Sequence, residues 1–400
     1  MKRAVILVRT AAKKKVFKEY TPLLIIGGGV SGLAAALEAA KQNIFVTLIE
    51  SERELFSVQR KCTTRYLHPH EYDWPLSHYR EPAFPYSRKD ESFTPLQMHW
   101  RAGIAADVVE KMANQITSST PPKLNLRIGE DHIPVSLDTL RSKFDPRDEF
   151  EFILICAGGQ EDTQLGKFTG FKYWDQDPLE KLSSLGSSKK VNNVLISGGG
   201  DGGLQDFLRI INDRKDGKPF SAGILLDRFL PTLKLSPEFV EWIGNKQNDC
   251  RAFRPSPEVM WREFSKLLDS IEKNSKCWKP LRNEVLASVN LEVINKERIV
   301  QLVFKGRHFS NSFALNAFLV LLVARVMKQQ KCLRPNCCLD QIVSVSKRHR
   351  CSGSAVKCCG KLHEVSYKPT RSGAKRSERF DLIVLRYGSK PTVSPALRKE

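Results

Sequence analysis

The apolar residues of this chain repeat one pattern twice. A short unbroken apolar run enters a glycine cluster, and an apolar stripe at helical spacing follows. The first copy runs from Leu23-Leu24-Ile25-Ile26 through Gly27-Gly28-Gly29-Val30-Ser31-Gly32 to Leu33, Ala36, Leu37 and Ala40. The second runs from Asn193-Val194-Leu195-Ile196-Ser197 through Gly198-Gly199-Gly200-Asp201-Gly202-Gly203 to Leu204, Phe207, Leu208 and Ile211. Continuous runs predict buried parallel strands, and the stripes predict helices packed on them. Further strands are expected at Ile44–Ile49, Leu124–Ile128, Phe150–Ile155, Ala222–Leu226 and Phe380–Leu385. Val289–Ile294 and Ile299–Phe304 flank a polar turn and predict a hairpin. Amphipathic or buried helices are expected over Met98–Ile116 and Ser312–Met327. The fold class is therefore α/β, with two Rossmann-like dinucleotide-binding units.

Each glycine cluster reads G-x-G-x-x-G, and each glycine has a task. Gly27 allows a tight turn, Gly29 lets backbone approach a pyrophosphate, and Gly32 lets helix pack against strand. Val30 and Ser31 open the helix. Glu50 ends the second strand, eighteen residues after Gly32, near the spacing at which a carboxylate grips ribose hydroxyls. Gly198, Gly200 and Gly203 repeat the spacing. Asp201 is unusual beside a phosphate and is expected to turn away and cap its helix. Asp227 would follow the second strand of that unit and suits a 2′-hydroxyl, as NAD requires. Arg228 suits a 2′-phosphate, as NADP requires. Both readings stay open, the acid in first place leaning toward NAD.

These residues resemble the two-dinucleotide-binding flavoproteins, the group that contains thioredoxin reductases and flavin monooxygenases. The first loop looks like their FAD loop and the second like the loop of their nicotinamide domain. Cys156-Ala157-Gly158 sits where these enzymes carry an Ala-Thr-Gly turn, which places Gly158 at the cofactor. Phe380–Leu385 is similar to their late strand returning to the FAD domain, with Asp381 matching an acid near the flavin. The resemblance implies an FAD-binding domain at 21–160, completed by 376–400, and an NAD(P)-binding domain at 190–310. Charge and apolar pattern add a basic arm at 1–20 and a buried helix with a basic cysteine-rich segment at 311–375. FAD and NAD(P)H are the implied cofactors. Neither unit carries the paired cysteines of the reductases, and Cys332 and Cys337 lie outside both, so no dithiol relay is expected.

Net charge is +20 over 400 residues, but its distribution argues against a nucleic-acid protein. Residues 1–20 carry +6, residues 331–379 carry +9 and residues 21–330 only +3. The basic segments suit weak polyanion binding by charge alone, with no sequence-reading motif. Six of the ten cysteines crowd into 332–359, yet the adjacent pairs Cys337-Cys338 and Cys358-Cys359 do not match usual zinc spacing. No metal site is expected, and free thiols point to a cytoplasmic protein. The run Phe313–Met327 is broken by Asn316 and Arg325 and falls short of the ~20 residues of a spanning helix.

The chemistry expected is transfer of a hydride from NAD(P)H to FAD, then of electrons to oxygen or a small molecule. A flavin oxidase with a structural second unit is the alternative within enzymes. A non-catalytic dinucleotide sensor or adaptor is the alternative outside them. His68, His70 and Tyr66 are the candidate proton donors, in a stretch dense in aromatic and histidine residues. The competing reading of that stretch is a packed insertion with Trp74 and Tyr72 as its core.

Overall fold

A computed structural model of the chain describes residues 2–17, 19–20, 22–74, 98, 100–130, 150–161, 164–165, 168–177, 179, 191–212, 220–246, 256–289, 291–295, 298–304, 308–310, 312–329, 340–349, 361–369 and 376–391. It divides into two units. The first comprises Met1–Thr63, Ser87–Gln160 and Ser389–Glu400, and the second Thr64–Tyr86 and Glu161–Gly388.

In the first unit, β1 (Pro22–Ile26), β2 (Phe45–Glu50), β3 (Leu124–Ile128) and β4 (Phe152–Ile155) form one parallel sheet in the order β3-β2-β1-β4. β1 is central, and Leu23, Leu24 and Ile25 are buried as a two-sided strand demands. Helix α2 (Val30–Lys41) packs close because Ala34, Ala35, Ala36, Ala39 and Ala40 leave little side chain between it and the sheet. The basic N-terminal arm holds helix α1 (Lys2–Lys13), which buries Val5 and Val8. Arg9 Nε donates to the buried Glu38 of α2 at 2.7 Å. Two apolar residues at i and i+3 seat one face of α1. Helix α3 (Ala105–Ser118) starts later than the expected Met98 and buries Val108, Val109, Met112 and Ile116.

In the second unit, β5 (Asn193–Ser197) leads into helix α4 (Asp201–Ile211). The expected strand at Ala222–Leu226 is instead the start of helix α5 (Ala222–Leu233). Ser221 Oγ caps it by accepting from Gly223 N–H at 3.0 Å. Ala222, Leu225, Leu226, Phe229, Leu230 and Leu233 are buried at helical spacing. A short apolar run does not by itself tell strand from buried helix, and the longer period decides. Helices α6 (Pro237–Lys246), α7 (Pro257–Lys273) and α8 (Ser275–Ser288) follow.

The expected hairpin is also corrected. Leu291–Ile294 is a short helix, and β6 (Ile299–Val303) pairs in parallel with β5. Helix α9 (Ala314–Gln329) is buried, as expected. Strands β7 (Asp340–His349), β8 (Lys361–Pro369) and β9 (Arg376–Phe380) make an antiparallel sheet, and β10 (Leu382–Leu385) follows. β10 does not complete the FAD unit. It pairs in parallel with β5, giving the order β6-β5-β10, and only Ser389–Glu400 groups with the first unit. The alternating Ile383 and Leu385 bury against Leu195 and Val303, partners that only this sheet supplies. The unit's main core is aliphatic around an aromatic cluster: Phe207, Phe229, Phe239, Phe264 and Phe318 are fully buried, and Trp74 stacks on Phe318 at 5.3 Å. Trp74 is thus core of the insertion, while the side chain of Tyr72 lies outside the described residues. So do all six cysteines of 332–359.

Candidate functional site

The first glycine loop joins β1 to α2. Gly27 has φ +107°, where L side chains rarely sit, and a Cβ there would meet Cys156 O at 2.8 Å. A Cβ on Gly32 would lie 1.9 Å from Gly27 O, so helix and loop touch through backbone. A Cβ on Gly29 would meet nothing within 4 Å. Gly29 is the N-cap of α2 and offers no side-chain cap, so the N–H groups at Val30 and Ser31 open a helix whose positive end faces that open space. Glu50 ends β2 beside it. Its Oε2 accepts from Gly28 N–H at 2.6 Å, and its Oε1 accepts from Glu52 N–H at 2.9 Å. Gly158 closes the turn after β4, with open space around it. A bare backbone approach, an uncapped helix start and an oriented carboxylate fit the pyrophosphate and ribose of FAD.

The second loop repeats this backbone bond for bond. Gly27 N–H donates to Ile49 O at 2.8 Å, and Gly198 N–H donates to Val303 O at 2.8 Å. Cys156 N–H donates to Ile26 O at 2.8 Å, and Arg386 N–H to Ser197 O at 2.7 Å. A Cβ on Gly203 would lie 2.0 Å from Gly198 O. The register therefore equates Glu50 with Phe304, Val30 with Asp201 and Cys156 with Arg386. Gly200 is again an uncapped N-cap. Asp201 does turn from the loop, but it caps another helix: its Oδ1 accepts from Phe313 N–H at 2.5 Å and Asn316 Nδ2 at 3.0 Å, at the start of α9.

Asp227 and Arg228 are not at a strand end. Both lie on α5, so the premise for a ribose contact there falls with the strand. Asp381 is corrected too. Its Oδ2 accepts from Asn192 N–H and Asn193 N–H, both at 2.9 Å, at the start of β5. That is the sheet end opposite to the glycine loop, whereas ligands of open parallel sheets bind at the carboxyl ends.

Asp206 on α4 is fully buried among three arginines. It accepts from Arg65 Nη2 at 3.0 Å, Arg209 Nη1 at 3.0 Å and Arg386 Nε at 2.8 Å. Burial alone would raise its pKa, but the three guanidinium groups hold it well below the usual carboxylate range. Asp177 accepts twice more from Arg209, at 2.9 and 3.0 Å. Nearby, Glu71 is buried. Its Oε1 accepts from Ser221 Oγ at 2.8 Å and Ala222 N–H at 2.9 Å, and its Oε2 from Gln205 Nε2 at 2.9 Å. Burial pushes Glu71 up to about 7 against the Ser221 hydroxyl and the charge of His68. Sequence reasoning missed Glu71, Asp206 and Arg386, because their meaning lies in partners more than a hundred residues away.

The histidines meet Asp227. His70 Nδ1 lies 3.0 Å from Asp227 Oδ1, and His68 Nε2 lies 3.4 Å from Asp227 Oδ2. These atoms fall within 4.8 Å of one another, which is metal-ligand proximity. The tautomer argues for hydrogen bonding instead. His68 Nδ1 accepts from His70 N–H at 3.2 Å, so the ring proton sits on Nε2, facing the carboxylate. A ligating histidine shows the reverse polarity, with its second nitrogen donating. Burial would raise the Asp227 pKa, but hydrogen bonds from His68 and His70 hold it down at about 2. A Cβ on Gly223 would lie 2.3 Å from His68 Cγ, so α5 accepts the imidazole only at a glycine. His68 and His70 are buried, and Tyr66 is half-buried on the short strand Tyr66–Leu67.

Residues 23–121 match the FAD dependent oxidoreductase family. No curated protein sequence matches the chain. Among solved structures, the chain is similar to 6-hydroxypseudooxynicotine amine oxidase from Pseudomonas geniculata N1, with 11% identity, 92% of this chain covered and a TM-score of 0.33. It spans only 35% of that enzyme's length. It is similar to T. acidophilum thioredoxin reductase at 11% identity, covering 92% of this chain and 77% of that one, with a TM-score of 0.37. It is also similar to the lysine monooxygenase NbtG from Nocardia farcinica at 10% identity, covering 92% and 81%, with a TM-score of 0.38. No helix among the described residues is long and apolar enough to cross a membrane.

Proposed function

We propose that this chain is an FAD-dependent oxidoreductase acting on a small molecule, with the FAD pyrophosphate at Gly27–Gly32 and its adenosine ribose at Glu50. The observation that carries this is the Glu50 carboxylate, aimed at the loop by Gly28 N–H at 2.6 Å beside an open Gly29. Bound FAD supplies two-electron chemistry that side chains lack. The residues of the first unit bind and orient it: Gly29, Val30 and Ser31 present N–H groups to the phosphates, Glu50 presents acceptors to the ribose, and Gly158 keeps the adjoining turn bare. The family match over residues 23–121 supports the same reading. The absorbance spectrum of the purified protein tests it. A flavin band with about one FAD per chain is expected, and a colourless protein that binds no added FAD overturns it.

Two routes bring electrons to such a site. Spacing in the second loop favours a nicotinamide donor, with oxygen or a small molecule as acceptor. The side chains at that loop favour the second route, a flavin oxidase whose second unit is structural, because Phe304 stands where the first unit has Glu50. Anaerobic mixing with NADH and NADPH separates them: flavin bleaching by either supports the first, and none supports the second. Cys62, Cys156 and Cys277, which form no disulfide, favour a reducing, cytoplasmic setting, and the basic flanks favour weak contact with polyanions.

A further inference from the structure

We infer that Phe304 closes the second glycine loop to adenine dinucleotides and so determines which reductant this protein accepts. The inference rests on the FAD reading of the first loop, because that loop defines what a working ribose position looks like.

Three observations converge. First, Phe304 follows Val303 as Glu50 follows Ile49, and each preceding carbonyl accepts from the first glycine of its loop. A Cβ on Gly28 would lie 3.0 Å from Glu50 Cβ, and one on Gly199 would lie 2.9 Å from Phe304 Cβ. The two side chains leave the strand at the same place. A carboxylate accepts two ribose hydroxyls there, and a phenyl ring accepts none.

Second, the place beside the loop is filled. Phe304 and Phe309 are buried with ring centroids 5.1 Å apart, and Trp261 packs on Phe309 at 4.8 Å. Ser310 N–H donates to Gly199 O at 2.9 Å, so the chain after β6 bends back over the loop and is held there. The first loop has a looser counterpart, Phe56 N–H donating to Gly28 O at 3.5 Å, so the difference lies in the side chain at the strand end, Glu50 there and Phe304 here. Third, Asp201 places a carboxylate in the first turn of α4, where the first unit has Val30. That carboxylate is engaged by Phe313 N–H and Asn316 Nδ2 at the start of α9, so α4 is tied to α9 where the first loop has no such tie through Val30. A dinucleotide would have to displace the Phe304 ring from its cluster with Phe309 and Trp261 without finding a ribose acceptor.

The test is calorimetric titration of the flavin-loaded protein with NADH and NADPH. Wild type is expected to show no saturable binding up to ~1 mM. Phe304→Glu restores the acceptor and removes the ring, so it is expected to gain at least about tenfold in affinity for one of the two. If Phe304→Glu does not fold, Phe304→Ser carries the same test, since it vacates the space. Saturable micromolar binding by wild type overturns the inference. So does a folded, flavin-loaded variant that gains nothing. Flavin content is read separately, so a protein without flavin defeats the FAD reading alone.

Discussion

The two glycine loops share a backbone and differ in almost every side chain that could meet a ligand. Both need glycine at their first and last positions for the same reason. Cβ atoms on Gly32 and Gly203 would lie 1.9 and 2.0 Å from the carbonyls of Gly27 and Gly198. That requirement belongs to the strand-turn-helix crossing itself and holds whether or not anything binds. What separates the loops is Glu50 against Phe304, Val30 against Asp201, and Cys156 against Arg386. In the first unit these residues leave space and point acceptors at it. In the second they fill space, cap α9 and tie β10 to the buried Asp206. A glycine pattern is thus evidence for a fold, and the residue that ends the neighbouring strand is evidence for a ligand.

The hardest test of the shared backbone is Gly32→Ala beside Gly203→Ala. Each should cost about 4 kcal/mol or prevent folding, because backbone cannot yield as a side-chain tip can. Urea unfolding measures it, and a loss below about 1 kcal/mol in either variant would break the equivalence of the loops.

The units also differ in what titrates inside them. Glu38 in the first is paired with Arg9, whereas Glu71 in the second is buried, with Ser221 Oγ, Ala222 N–H and Gln205 Nε2 as its donors, and pushed up to about 7. A raised folded-state pKa means that stability is fully present below the unfolded value, ~4.5, and is lost as pH rises through about 7. The loss should approach roughly 3 kcal/mol between pH 5 and pH 8. Unfolding at both values checks it. Glu71→Gln should flatten the slope, and an unchanged slope would assign it to other groups.

Gly29→Asp sharpens the ligand side of the comparison. The space is open, so the fold should hold. A carboxylate against the pyrophosphate should weaken flavin binding about a hundredfold, or roughly 2.7 kcal/mol. Flavin-to-protein absorbance after desalting reads it out, and full occupancy would move the pyrophosphate elsewhere. The smallest effect is expected at Asp227→Ser and Arg228→Ala. Both residues lie on α5, away from any strand end, so any nicotinamide rate ratio should change less than about twofold. A larger shift in single-turnover flavin reduction would return the ribose contact to them.

Much of the first unit was legible in the chain. Leu23–Ile26, the glycine spacing and Glu50 are neighbours in sequence as well as in space, so local period and turn chemistry were enough. Glu50 follows the next strand directly, and the expected element boundaries lie close to those observed. The second loop and its helix were legible for the same reason.

Its partner strand was not. The position beside β5 is taken by β6, about a hundred residues downstream, after a run of helices. Ala222–Leu226 is apolar enough for either structure, and only packing of Leu225, Phe229 and Leu233 into the aromatic core makes it helix. With Ala222–Leu226 helical, Asp227 lies on α5, and the residue that follows the strand beside the second loop is Phe304. The alternating residues of β10 suit either sheet by pattern, and burial of Ile383 and Leu385 with Leu195 and Val303 places the strand beside β5. Local sequence determined the two glycine turns, whose geometry is set within six residues by sterics. Tertiary structure decided which strands lie beside them, and with that which side chain reaches each loop, because pairing between distant strands depends on burial that no short segment contains.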